Sequence, residues 1–491
     1  MPVLSNILYK VALKEVLGST NLEVEHLCLD SRLVQPNTLF AAISGTLSDG
    51  HAFIGDAILK GAIVILCEKM PEAIQTNITY IRVDNVAEAL GIIADNFYDN
   101  PSSKLKVVGV TGTNGKTTTT TLLYQLFLKL GFKTGLISTI QYFINHRVYD
   151  STHTTPDSIQ LNRLLNEMVN EGCTYCFMEV SSHAMVQFRV NGIHFAGGIF
   201  TNITHDHLDF HLTYDNYIKA KKSFFDMLPS QAFALVNADD KNGKVMLQNT
   251  GARKFTYALK SPADFKAKIL ENSFDGLVLL MDGQELHTHL IGEFNTYNLT
   301  AAYAAAMLLI DEKINILTHL SALKAAEGRF DNVSNQERTI IGIVDYAHTP
   351  DALEKVLQTI NHIRTKNEQL ITVVGCGGNR DKAKRPVMAK LACELSDRVI
   401  LTSDNPRYED AEAIINDMKA GVSPQYSGKA ISITNRREAI KTACMLAKKG
   451  DIILVAGKGH EKYQEINGIR QHFDDKEELQ TALNQISGLK T

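Results

Sequence analysis

The sequence predicts an α/β protein built from three domains, and three observations carry this. The chain has 491 residues, too many for one hydrophobic core and enough for two to four domains. From Leu105 onward, short apolar runs ending in glycine or polar turns alternate with amphipathic stretches, the pattern of parallel strands joined by helices. Two breaks interrupt that pattern, at Pro101 and around Glu327-Gly328-Arg329-Phe330. They set domains at 1–102, 103–334 and 335–491.

In the first domain, TLFAAI (Thr38 to Ile43) and GAIVILCE (Gly61 to Glu68) read as strands, and EALGIIADNFYDNP as a helix stopped by Pro101. In the second, VVGVTG, TGLIST, YCFMEVSS and AGGIFTNIT read as strands of a parallel sheet with helices on its faces. The polar stretch Asn249 to Gly292 reads as antiparallel decoration, and the alanine-rich stretch Tyr297 to Leu309 as a helix. In the third, IGIVDY, LITVVGCGG, RVILTSD and DIILVAGKGH are four strands, each ending in a polar or glycine-rich turn. That is a small doubly wound, Rossmann-like sheet, in which ligands bind at the carboxyl ends of the strands.

Composition excludes some partners. The formal net charge is −4 and 44% of residues are hydrophobic, which points to neither a nucleic-acid nor a membrane surface. The N-terminus is amphipathic without a long apolar core, and no segment approaches 18 uninterrupted apolar residues. A cytoplasmic monomer without membrane insertion is expected. The seven cysteines are scattered; Cys173 and Cys176 open an apolar run and read as buried strand residues.

The chemistry begins at KVVGVTGTNGKTTTT (Lys106 to Thr120). A β-branched run stops at Gly112, Thr113, Asn114 and Gly115, and Lys116, Thr117 and Thr118 open a helix. Glycines let backbone N–H groups close on a polyphosphate, and the helix N-terminus adds partial positive charge. Lys116 can reach the β/γ-phosphates and the Thr117 hydroxyl can bind Mg2+. Val110 stands where the general P-loop has its first glycine, so the loop is shortened.

Further along, Glu179 closes an apolar strand, where a carboxylate is costly unless paired or bound to metal. IFTNITHDHLDFH carries His205, Asp206, His207, Asp209 and His211. By spacing this string admits zinc, a plain polar loop or a magnesium–nucleotide site. The P-loop favours the last, because a polyphosphate needs a hard cation and oxygen-rich ligands. Lys219, Lys221 and Lys222 lie on a predicted helix and by composition read as a solvated basic face.

The shortened loop TGTNGKTT resembles that of the Mur ligase and folylpolyglutamate synthase superfamily, and the later motifs follow in the Mur ligase order along the whole chain. The resemblance implies an ATP-dependent ligase with a UDP-sugar domain, a central ATP-binding domain and a C-terminal amino-acid domain. It implies that Glu179 and His207 bind Mg2+ with Thr117. It further implies that Lys221, in YIKAK, is carbamylated to N6-carboxylysine and ligates a second Mg2+. Asn295, in GEFNTYN, maps to the adenine contact, Arg329 to the phosphates, Asp345, in DYAHTPD, to a ribose hydroxyl, and His348 to the phosphate region. Phe330 and Asp331 depart from the usual GRME.

The last domain narrows the resemblance to Mur ligases that add meso-diaminopimelate in peptidoglycan synthesis. Its strings are GCGGNRDKAKRP with Arg380, SDNPRYED with Asp404, Asn405, Pro406 and Arg407, and AGKGHEKYQ with Gly457 and Glu461. Arg407 offers a planar fork for the distal carboxylate, Arg380 a second cation, Glu461 an acceptor for the distal ammonium, and Gly457 a close approach. On the acceptor side, Leu29, Ser31, Thr46, Leu47 and Ser48 resemble the UDP-sugar contacts. Thr154, Thr155, Ser181, Gln187 and Arg189 resemble the contacts to the muramoyl peptide, with His153 where an asparagine is usual. The implied reaction joins diaminopimelate to the γ-carboxylate of D-Glu in UDP-MurNAc-L-Ala-D-Glu through an acyl phosphate. The alternatives are a lysine-adding or folate-type ligase, and an ATP-binding module without catalysis.

Overall fold

The computed structural model describes residues 1–45, 48–204, 206–334 and 340–489. They form two compact units: Met1–Phe265 with Ala301–His319, and Lys266–Thr300 with Leu320–Thr491.

The first unit contains two sheets. One has the order Glu15–Leu17, Thr79–Arg82, Ala62–Cys67, Thr38–Ala41, His26–Cys28, parallel except for Glu15–Leu17. Helix Val86–Phe97 covers one face. Asn85 caps it by accepting from Glu88 N, and Val86, Leu90 and Ile93 pack with Leu39, Val64, Leu66 and Ile81. The predicted strands and helix of this region are present.

The other sheet centres on Lys106–Thr111. Phe195–Phe200, Phe233–Asn237 and Arg253–Ala258 follow on one side, Tyr175–Glu179 and Thr134–Ile137 on the other, all parallel. The hairpin Gln141–Ile144 and Arg147–Asp150 closes the second side. Val107, Val108 and Val110 are fully buried, as a strand covered on both faces requires. Arg253–Ala258 corrects the expectation that residues from Asn249 onward are antiparallel decoration. Only Tyr257 and Ala258 of that strand are buried, so its apolar signal was too weak to announce a parallel strand.

Cys173 and Cys176 are buried, as expected, and burial raises both thiols. Helix Tyr214–Asp226, capped by Thr213, buries Tyr217, Ala220, Lys221, Phe224 and Phe225 at helical spacing. The solvated basic face therefore fails for Lys221, which lies in the buried stripe; Lys219 is exposed.

The second unit holds an antiparallel meander (Phe265–Ser273, Gly276–Met281, Gln284–Thr288), where the antiparallel expectation is met. Its six-stranded sheet runs Asp331–Ser334, Ile341–Asp345, Ile452–Ala456, Leu370–Cys376, Arg398–Ser403, Ala430–Ser432. Only Asp331–Ser334 is antiparallel. The four predicted strands are its four central ones. The alanine-rich helix spans Glu293–Ile310, starting one turn before the predicted Tyr297. Among the described residues no helix is long and apolar enough to cross a membrane.

Candidate active site

In the first unit three adjacent parallel strands end side by side, at Thr111, Glu179 and Phe200. They deliver the glycine-rich loop, the buried carboxylate and the His/Asp string to one region. Val110, at the position of the missing glycine, is a buried strand residue in register with Glu179 and Ile199. The loop is short because the strand runs through it. Gly112 has φ 154, and a Cβ there would lie 1.9 Å from Thr201 Oγ1, so no side chain fits.

The following loop is pinned from the next strand. Thr113 N donates to Asn202 O (2.8 Å), Asn114 N to Asn202 Oδ1 (3.0 Å), and Thr204 N to Thr113 Oγ1 (3.0 Å). Gly115, in the left-handed region, starts helix Lys116–Lys129. The Lys116 ammonium folds back onto the carbonyls of Gly112 and Thr113, both at 2.9 Å. Thr117 and Thr118 are buried in the first helical turn.

Glu179 is fully buried. Its Oε1 accepts from Thr139 N (2.8 Å) and the Thr139 hydroxyl (3.1 Å), while Oε2 is buried without a hydrogen-bond partner. A buried carboxylate oxygen lacking a donor is costly unless a cation meets it, and a hard oxygen donor suits Mg2+; the residues present fit that ion. Among the described residues no three His, Cys, Asp or Glu side chains cluster closely enough to hold a metal. His205 lies outside the described residues. His207 has a left-handed backbone (φ 54) and packs its ring 4.9 Å from His183 and 6.1 Å from Tyr217.

Lys221 Nζ donates to Gly112 O at 2.8 Å and lies 4.5 Å from the Tyr217 ring centre. Burial holds its ammonium well below the ordinary lysine range, and the Lys116 cation pushes the same way, with Asp206 opposing. An unprotonated amine is the form that attacks CO2.

The residues mapped to the muramoyl peptide adjoin Glu179. Thr155 Oγ1 donates to Glu179 O (2.8 Å) and accepts from Ser181 N (3.1 Å); the Thr139 and Thr154 hydroxyl oxygens lie 3.0 Å apart. Arg189 donates to Gln187 Oε1 (2.9 Å) and Thr155 O (2.7 Å). The Ser181 side chain is spent on capping helix Ser182–Val186. His153 is exposed, its imidazole shifted down by partial burial and by Arg189. Leu29 packs on the core of the first sheet, Ser31 opens a short 3-10 turn, and Ser48 O accepts from Gly45 N. Thr46 and Leu47 lie outside the described residues. Sequence reasoning missed Thr139, Asn202 and Tyr217, which orient Glu179, the loop and Lys221. Thr139 and Asn202 each act through a main-chain group as well as the side chain, and main-chain contacts carry no sequence signature.

In the second unit Asn295 is buried, donating to Ile291 O (2.9 Å) and accepting from Asn298 (3.1 Å). The Arg329 guanidinium lies 4.6 Å from the Tyr346 ring centre. Asp345 accepts from Phe330 N at 2.7 Å, and burial raises its carboxyl to about 6 against the pull of Arg329. His348 Nδ1 is 2.8 Å from Tyr346 O.

The residues mapped to the amino acid gather at the carboxyl ends of the strands. A Cβ on Gly377 would lie 2.9 Å from Arg407 Nη1 and 3.9 Å from Arg380 Cγ, so the two arginines flank one point. Arg407, at φ 53, is held by main-chain bonds to Glu465 O and from Asn467 N, and donates to Gly378 O (2.8 Å). Asn405 donates to Glu461 Oε2 at 2.7 Å. Gly457 approaches Asp404 so closely that a Cβ would lie 2.6 Å from its Oδ2. Pro406 is buried between these residues in sequence.

Residues 23–98, 110–306 and 328–459 match models described as the Mur ligase family catalytic domain, the Mur ligase middle domain, and the Mur ligase glutamate ligase domain. The chain is 57% identical over 474 residues to the UDP-N-acetylmuramoyl-L-alanyl-D-glutamate–2,6-diaminopimelate ligase of Cytophaga hutchinsonii, covering 96% of this chain and 97% of that one. It is 53% identical over 482 residues to the same-named protein of Bacteroides thetaiotaomicron, covering 98% and 100%. A solved structure of a ligase of that name superposes with a TM-score of 0.68 at 32% identity, over 94% of this chain and 95% of the other. With its three α/β domains and its loop, carboxylate and lysine in this arrangement, the chain belongs to the Mur ligase family.

Proposed function

We propose that this chain joins meso-2,6-diaminopimelate to the γ-carboxylate of D-Glu in UDP-MurNAc-L-Ala-D-Glu at the expense of ATP, in the cytoplasm, for peptidoglycan synthesis. The observation that carries this is the set of side chains at these strand ends: the Arg407 guanidinium and the stem of Arg380 lie beside Gly377, and Arg407 also draws the Glu461 carboxyl toward ionisation. Two forks and one carboxylate suit an amino acid with a distal carboxylate and a distal ammonium; lysine lacks the carboxylate. Relatives that carry the diaminopimelate name at 53–57% identity support the same reading.

In this reading residues 1–102 take the UDP-sugar, 103–334 the nucleotide and 335–491 the amino acid. A carboxylate is a poor electrophile, so the γ-phosphoryl of ATP passes to it and leaves as phosphate when the amine attacks. Lys116 and the loop from Gly112 to Thr118 hold the phosphates, with the N–H groups of Thr113 and Asn114 bonded to Asn202 to fix the loop. Asn295, Asp345 and Arg329 bind adenine, ribose and phosphates. Thr154, Thr155, Gln187 and Arg189 orient the peptide so that its carboxylate meets the phosphoryl group. Thr117, Glu179, His207 and Lys221 as its carbamate are the groups that would hold Mg2+, which when bound neutralises phosphate charge.

The test is phosphate release from ATP with UDP-MurNAc-L-Ala-D-Glu and either diaminopimelate or lysine. Release with diaminopimelate and little with lysine is expected. Equal rates with both would overturn the substrate assignment, and no amino-acid-dependent release would return the chain to a non-catalytic module.

A further inference from the structure

Lys458 follows Gly457 at the end of strand Ile452–Ala456, and its side chain is wholly buried. A buried ammonium is tolerated only when paired and hydrogen-bonded. Lys458 Nζ finds Asn405 Oδ1 at 3.2 Å, the carbonyl of Tyr463, and Glu461 Oε2 at 3.6 Å. Asn405 is shared in turn. Its Oδ1 also accepts from Glu465 N (2.9 Å), and its amide donates to the same Glu461 Oε2 (2.7 Å). Lys458 and Asn405 thus grip one oxygen of Glu461 and tie the loop after strand Arg398–Ser403 to the loop after Ile452–Ala456.

The charges around Glu461 give this grip a purpose. Asp404 and Arg407 face it from one loop, Arg436 from helix Arg436–Leu446, Tyr346 from another loop, Tyr463 from the start of strand Tyr463–Ile466, and Lys458 from its own loop. Burial and the Asp404 carboxylate push the Glu461 carboxyl upward, toward its neutral form; Lys458 and Arg407 pull it back. Arg436 is committed to a buried bidentate pair with Asp475 (2.7 Å) and Arg407 to Gly378 O. Lys458 is the cation in direct contact.

We propose that Lys458 is a positioning residue of the amino-acid site, fixing the orientation and the negative charge of Glu461 through which the chain accepts a distal ammonium. This rests on the reading of the second unit's strand ends as the diaminopimelate site.

The test compares wild type with Lys458→Met, Lys458→Gln, Glu461→Gln and the Lys458→Met/Glu461→Gln double variant, by phosphate release with varied diaminopimelate from pH 6.5 to 9. Melting temperature and KM for ATP are the controls. Loss of the adjoining ammonium moves the Glu461 carboxyl further toward its neutral form, so part of its charge is lost at pH 7. Both Lys458 variants should therefore fold, raise the diaminopimelate KM about threefold or more at pH 7, and change kcat and the ATP KM less than about twofold. The excess KM should shrink as pH rises, because alkali restores the Glu461 anion. Lys458→Gln keeps a donor for Asn405 without charge and should show the same pH dependence. In the Glu461→Gln background Lys458→Met should add nothing further. A pH-independent loss, an equal loss in the Glu461→Gln background, or failure of both variants to fold overturns the proposal and leaves a packing lysine. Wild type that releases no phosphate with diaminopimelate sinks the functional reading itself; an active wild type with unaltered Lys458→Met sinks only the role of Lys458.

Discussion

Asp345 ends strand Ile341–Asp345 with its carboxylate buried, bonded to Phe330 N and raised to about 6 from an ordinary 3.8. A carboxyl whose folded value lies above its unfolded one binds protons more readily in the fold. Its contribution is therefore fully present below about pH 4 and lost as pH rises through about 6. Asp345→Asn removes the charge and keeps an acceptor for Phe330 N. Urea denaturation should find variant and wild type equally stable at pH 4 and the variant more stable at pH 7.5, by up to about 3 kcal/mol. Turnover should fall, since the proposed ribose contact is weakened; stability bought at a binding residue is the usual trade-off. Equal stability at pH 7.5 would refute the cost of the buried charge. At this scale legibility depended on local spacing. Lys116 was readable because loop, lysine and helix are contiguous in sequence. Lys221 was misread from composition because its burial follows from sharing a stripe with Tyr217, Phe224 and Phe225 and from Gly112, some hundred residues earlier. Lys458 left no signal, since its partners Asn405 and Glu461 come together only through the sheet.

Helix Val86–Phe97 shows why an element tolerates a residue that weakens it. Gly91 sits in its interior, where glycine costs up to about 1 kcal/mol against alanine. Its bare backbone lies against Asn191. A Cβ there would be 2.5 Å from Asn191 O, and Asn191 donates to Glu88 O at 2.8 Å. Gly91→Ala should gain helix propensity and lose more to the clash, which forces backbone apart at about 1–3 kcal/mol. Chemical denaturation should report a net loss, and a stabilised variant would show that this contact gives way freely. The helix was legible from its periodicity and from Pro101 beyond it; the contact was not, because nothing near Gly91 in sequence points to Asn191. Among the strands, those whose residues are buried on both faces announced themselves as apolar runs. Arg253–Ala258 did not, since only its last two residues are buried.

At the scale of the whole molecule, the residues proposed for phosphate holding and for amine selection lie far apart in sequence: Lys116 belongs to the first unit and Arg407 to the second, which also carries Asn295, Arg329 and Asp345. Phosphoryl transfer and amine selection should therefore fail separately. Hydroxylamine intercepts acyl phosphates as hydroxamates, so it can replace the amino acid and report the first step alone. Lys116→Ala removes the cation over the loop carbonyls and should lower hydroxamate formation and diaminopimelate-dependent phosphate release together, by at least about 100-fold, with little change in melting temperature. Arg407→Lys keeps the charge but loses the bidentate fork. It should form hydroxamate at the wild-type rate while its KM for diaminopimelate rises about tenfold or more. The left-handed backbone at position 407 is as strained for lysine as for arginine, so backbone cost does not confound the comparison. A hydroxamate defect in Arg407→Lys equal to its defect with diaminopimelate would show that the amino-acid site governs the phosphoryl step as well, and the division of labour would have to be abandoned.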